Sequence, residues 1–250
     1  MNLWDTLKKI ANIRFHTSDK NRIEEIQNIL GYHFHNPSFL LLALTHRSYH
    51  SPQANHNPSN ERLEYLGDSV LGLVIADQLY HDHPDSREGE LTKIKAMLVN
   101  ETTLSNIGKH IKLNKCIRLS SEEDKLGGRE RPSIISDAFE SVIGAVYLDG
   151  GFDAARDIVL RLIYLKKDII TSDENQKNYK GELLELIQSQ GGGMPRYDVV
   201  SETGPDHEKI FQVSVYVAKE SIGNGSGYTK KEAEQKAAAK ALDNLKNTSK

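Results

Sequence analysis

The chain has a single cysteine, Cys116, in 250 residues, so no intrachain disulfide can form. A fold without that staple rests on its buried core, and a lone thiol suits a reducing cytoplasm. Cys116 stands beside Ile117, a setting for a small core residue rather than a nucleophile. No apolar run approaches the ~18 residues of a membrane span, which argues against a transmembrane protein. The opening Met1-Asn2-Leu3-Trp4-Asp5-Thr6-Leu7-Lys8-Lys9 lacks the charged segment and apolar core of a signal peptide. There is no phosphate-binding loop of the Gly-x4-Gly-Lys type, and His207-Glu208 has no second histidine at zinc-protease spacing. Gly223, Gly225 and Gly227 do not make a dinucleotide fingerprint, because Tyr228 occupies the position of the third glycine. His33, His35, His46, His50 and His56 crowd the N-terminal third, but without cysteine partners they make a poor zinc set.

What the chain does have is acids in apolar surroundings. Glu61, Glu64 and Asp68 are spaced i, i+3, i+7 and share one face of a helix. Leu63, Leu66, Val70, Leu73 and Val74 supply the adjoining apolar stripe. Like charges at that spacing repel, so the face wants a counter-charge, and carboxylate oxygens suit magnesium. A solvated acidic face is the plainer alternative. Against it stands a second copy of the pattern. Asp137 and Glu140 lie i, i+3 inside the run Ala138, Phe139, Val142, Ile143, Ala145 and Val146, with Gly144 permitting close helix approach. Two such helices facing each other enclose a cation.

Length allows one large domain or two ordinary ones. Residues 1–21 form an extension without an assignable pattern. Residues 22–167 read as helix after helix, starting with Ile23, Ile26, Ile29 and Leu30 and closed by Gly31. Residues 168–177 are polar and read as a linker. From 178 to 247 the pattern changes. A helix with Leu183, Leu186 and Ile187 ends at Gly191-Gly192-Gly193. Phe211, Val213, Val215 and Val217 alternate as a half-buried strand, with strands expected around Tyr197 and over Lys219–Asn224. A Gly-rich turn over 223–227 then opens a last helix, giving α-β-β-β-α.

These segments resemble known families. Asn60 to Leu71 resembles the signature of the ribonuclease III endonuclease domain. Thr45-His46-Arg47-Ser48-Tyr49, Arg87-Glu88-Gly89-Glu90-Leu91-Thr92 and Ile135 to Ser141 are similar to its other segments, in the same order. Gly204-Pro205-Asp206-His207 and Gly227 to Gln235 resemble a double-stranded RNA-binding domain. The implied fold is an all-α endonuclease domain followed by an α+β RNA-binding domain.

The resemblance implies metal-binding roles for Glu64, Asp68, Asp137 and Glu140, with Asp68 and Glu140 catalytic and Glu61 and Glu88 as accessory acids. It implies magnesium, with manganese as a substitute, acting in the hydrolysis of double-stranded RNA. The products expected are 5′-phosphate and 3′-hydroxyl ends with short 3′ overhangs. It further implies a cytoplasmic homodimer without membrane contact, processing ribosomal RNA precursors and structured messages.

RNA contacts are expected at Gln188, His207, Lys230 and Lys231; Leu184 stands where many relatives carry a glutamine. Residues 178–250 hold ten Lys and Arg against ten Asp and Glu, so affinity has to come from the local Lys230, Lys231, Lys236 and Lys240 group. The competing reading is a non-catalytic, ribosome-associated RNA-binding protein, in which the four acids would have no task.

Overall fold

The computed structural model describes residues 17–49, 58–172, 178–205 and 209–248. The chain divides into two compact units, Met1–Glu174 and Asn175–Lys250. The first is helical: α1 Thr17–Leu30, α2 Pro37–Ala43, α3 Glu61–Asp82, α4 Glu88–Leu98, α5 Glu101–His110, α6 Leu113–Cys116, α7 Ser121–Lys125, α8 Pro132–Leu162 and α9 Lys167–Ser172. No helix among the described residues is long and apolar enough to cross a membrane.

Helix boundaries follow local chemistry. Asn36 and Asn100 cap α2 and α5, their side chains accepting from the backbone N–H of Ser38 and Thr103. Gly31 ends α1 at φ +60, a backbone that a β-carbon disfavours. α8 begins at Pro132 and is broken at Gly151, where φ is 81° and ψ −173°. Its first stretch is buried on nearly every side by Ile134, Ile135, Ala138, Phe139, Val142, Ile143 and Val146. α3 lies along this central helix, burying Leu63, Val70, Leu71, Val74, Ile75 and Leu79 against it. Cys116 is buried in the same core, and burial pushes its thiol up to about 11, so it stays protonated and inert.

Two boundaries differ from the sequence expectation. α1 starts at Thr17, inside the segment expected as an extension, and residues 1–16 lie outside the described residues. Residues 168–172, expected as linker, are helical in α9, where Ile170 packs on the core. Residues 173–177 of that linker lie outside the described residues.

The second unit runs α10 Tyr179–Ser189, β1 Arg196–Thr203, β2 Ile210–Val217, β3 Glu220–Gly227 and α11 Lys230–Thr248. The sheet is antiparallel in the order β1-β2-β3. Val213 and Val215 face Leu183, Ile187, Ala233, Ala237, Ala238 and Ala241 in its core. Gly223 to Gly227, expected as a turn, are strand residues of β3. A β-carbon on Gly223 would meet Ala237 O at 2.6 Å, and one on Gly225 would meet Ala233 O at the same distance. Alternate glycines let α11 lie directly on the sheet, and no turn is involved.

Candidate active site and nucleic-acid interface

The acids of α3 and α8 meet because the two helices touch backbone to backbone. A β-carbon on Gly67 would overlap the Glu140 carbonyl, and one on Gly144 would overlap that of Leu63. This contact brings Glu64, Asp137 and Glu140 together, with carboxylate oxygens within 4.8 Å of one another. All three are half-buried, while Asp68, one turn along α3, and Glu61 are exposed.

Crowding of like charge in a partly dry site shows in the acidities. Burial, then Asp68, Asp137 and Glu64, push the Glu140 carboxyl up to about 8. Glu64 is raised by burial, then by Asp137 and Glu61, with Arg47 opposing and Asp68 adding. Asp137 is also raised by burial, against a hydrogen bond from Ser136 Oγ at 3.4 Å. Glu101, at the start of α5, raises it further and Arg47 opposes. Glu61 accepts from Ser59 Oγ at 2.7 Å and pairs with Arg47 at 3.8 Å. Glu88 does not join the trio; its carboxylate accepts from Thr92 Oγ1 at 2.9 Å on its own helix.

In the second unit α11 opens with a reciprocal cap. Thr229 Oγ1 accepts from Glu232 N at 3.1 Å, and Glu232 Oε2 accepts from Tyr228 N at 2.9 Å. Lys230 and Lys231 are therefore exposed on the first turn, where helix N–H groups favour anions. Lys230 pairs with Glu202 at 3.5 Å and lies over the Phe211 ring at 5.4 Å. Lys231 lines a groove of about 610 Å³ with Lys180, Leu184, Tyr197 and Gln235. Lys236 is committed to Glu232 at 2.7 Å, and Lys180 to Glu234 at 2.6 Å. Gln188 is exposed on the last turn of α10; His207 lies outside the described residues.

Residues 36–167 match the model of the Ribonuclease-III-like family, and residues 179–245 match the double-stranded RNA binding motif. Ribonuclease 3 of Desulforamulus reducens is 42% identical over 222 residues, covering 88% of this chain and 90% of that protein. The chain belongs to the ribonuclease III family. Ribonuclease 3 of Streptomyces coelicolor is 46% identical over 224 residues, 88% of this chain and 79% of the relative. Among solved structures, the nuclease domain of ribonuclease III from Campylobacter jejuni superposes with a TM-score of 0.54 at 43% identity, covering 57% of this chain and 96% of that one.

For a ribonuclease III the acid cluster has a clear chemical use. Half-buried carboxylates that repel one another and offer several oxygens at short range fit a hard divalent cation. No histidine joins this group among the described residues. His46 and His35 have other partners: Ser48 Oγ at 2.9 Å and Asp149 Oδ2 at 3.2 Å, while His50 and His56 lie outside the described residues. Sequence reasoning missed Arg47 and Glu101 as neighbours of the ribonuclease III acids. Their approach is tertiary, and only the position of Arg47 within the Thr45–Tyr49 segment hinted at it.

Proposed function

We propose that the protein cuts double-stranded RNA endonucleolytically with magnesium, for which manganese substitutes, held by Glu64, Asp68, Asp137 and Glu140. The observation that carries this reading is the trio of half-buried carboxylates, from two helices, within 4.8 Å of one another. Bound there, the cation supplies Lewis acidity toward a phosphoryl oxygen and toward a water. Glu140, whose carboxyl is pushed up to about 8 by burial and the neighbouring acids, would hold the cation in its ionised form. Asp68, exposed beside Glu140, is free to reach the reacting groups. Glu61 and Glu88 serve as accessory acids.

Lys230 and Lys231 take phosphates at the α11 N-terminus, and Gln188 and His207 extend the contact, so recognition follows A-form shape rather than base sequence. Hydrolysis leaves 5′-phosphate and 3′-hydroxyl ends, and paired cuts leave short 3′ overhangs. Two copies are needed for paired cuts. Tyr65, Leu73 and Tyr80, large apolar side chains exposed along α3, suit a homodimer contact. The Campylobacter jejuni structure likewise concerns a region involved in dimer formation. Ribosomal RNA precursors and structured messages in the cytoplasm are the expected substrates.

The deciding experiment incubates the protein with a long, fully paired RNA, in magnesium and then in chelator, beside Asp68→Asn and Glu140→Gln. Short duplexes appear only with magnesium and intact acids. Binding without cleavage in magnesium would reduce the protein to an RNA-binding module.

A further inference from the structure

The segment Thr45 to Tyr49 is held from both sides. Thr45 Oγ1 donates to Leu41 O at 2.7 Å and accepts from the buried Arg118 Nη1 at 3.2 Å. His46 N donates to Arg118 O at 3.1 Å, and Arg118 N to Leu44 O at 2.7 Å. Ser48 Oγ accepts from Ser120 N at 3.1 Å and meets His46 Nδ1 at 2.9 Å. The Arg118 guanidinium lies 4.1 Å from the centre of the Tyr49 ring. Four of the five side chains thus have tasks within the fold, and one points away. Arg47 is 74% exposed, and its ion pair with the 57% exposed Glu61 is long at 3.8 Å. A solvated pair of that kind contributes little to stability. Its charge nonetheless bears on Glu64 and Asp137.

We propose that Arg47 binds a phosphate of the RNA strand at the acid site, exchanging the Glu61 carboxylate for a phosphate oxygen as RNA enters. The inference rests on the nuclease reading above. An RNA strand approaching Glu61, Glu64, Asp68, Asp137 and Glu140 meets a field of its own sign. A cation neutralises its ligands, and the rim needs a positive group of its own. A guanidinium on a rigid turn meets that need, since its planar fork matches phosphate oxygens. Glu61 then holds the arginine in place until substrate arrives.

The test compares full-length wild type, Arg47→Gln and Arg47→Lys on a fully paired RNA. Because Arg47 is exposed, all three should melt alike. Arg47→Gln should lower kcat/KM by about ten- to a hundredfold, with Arg47→Lys in between. In chelator, the salt dependence of RNA binding by Arg47→Gln should be shallower by about one unit of slope. A kcat/KM within twofold of wild type overturns the proposal. So does lost activity with an unchanged salt slope and an altered magnesium requirement, which would make Arg47 a balancing charge for the acids. If wild type itself does not cleave, the nuclease reading fails instead, and the binding measurement in chelator still decides Arg47.

Discussion

Gly67 on α3 rests against the backbone of Glu140 on α8, with the space of a β-carbon already taken. A methyl group there would overlap the Glu140 carbonyl oxygen and come within 2.6 Å of its carbon and 2.9 Å of Gly144 N. Asp68 follows Gly67 directly, so the glycine that sets the helix spacing also sets the distance between acids on different helices. Packing and chemistry share one contact.

Gly67→Ala should therefore fail in both respects. Backbone against backbone has no soft side to yield, so overpacking should cost about 1–3 kcal/mol or more, read by chemical denaturation. Cleavage should fall with it. Gly72→Ala, on the same helix, is the control: its β-carbon would meet only the end of the flexible Lys95 side chain, at 3.4 Å. That variant should keep activity and melt at or slightly above wild type, since alanine favours helix over glycine by about 1 kcal/mol. Equal loss in both variants would refute the role given to the Gly67 contact.

The acids were legible because their spacing is a local property: i, i+3, i+7 on one helix and i, i+3 on another places five carboxylates without knowledge of the fold. Gly144 was legible for the same reason, as a small residue inside an apolar run. β3 was not. Gly223, Gly225 and Gly227 read as a turn because glycine disfavours strands, and only the α11 backbone lying over them explains why no larger residue fits. α9 was lost among polar residues, with Ile169 and Ile170 too short a signal for a helix. Arg47 and Glu101 approach Asp137 from separate segments, and no spacing rule links 47, 101 and 137.

The metal-free protein should lose stability as pH rises through neutrality. An unfolded chain ionises Glu140 near 4.5, whereas the folded protein does so near 8. Stability from this group is complete below the lower value and declines as pH rises toward the upper one. Glu64 and Asp137, also raised, act in the same direction. In chelator, the melting temperature should fall between about pH 5 and pH 8, and Glu140→Gln should flatten that slope. Magnesium should raise the melting temperature more at the upper end, where fewer protons must leave. A flat profile for metal-free wild type would contradict the crowding of these carboxylates.

Tyr65, Leu73 and Tyr80 recur at eight and seven residues along α3 and are 79%, 58% and 70% exposed. Their spacing puts them on one side of a helix whose other side is core. Leu73→Glu places a charge in the middle of that row without touching the acids. Sedimentation should show a dimer for wild type and a monomer for Leu73→Glu, with cleavage of long duplexes greatly reduced. A Leu73→Glu variant that stays dimeric would move the interface elsewhere.

RNA affinity should rise when one acid is removed from the second unit. Glu202 accepts from Lys209 at 3.1 Å and from Lys230 at 3.5 Å, and those two lysines, Lys209 first, hold its carboxyl below the ordinary range. It offers Lys230 what a phosphate would offer. RNA has to displace it before the lysine counts toward binding, and residues 178–250 hold as many acids as bases. Glu202→Gln should tighten duplex binding by about two- to fivefold at low salt and steepen its salt dependence. Lys231→Ala should weaken binding more than Lys236→Ala, because Lys236 already serves Glu232 at 2.7 Å. Titration of a fixed RNA duplex across a salt series measures all three. If Glu202→Gln binds no better than wild type, Lys230 is not held back by its internal partner, and RNA binding by this charge-balanced segment needs another explanation.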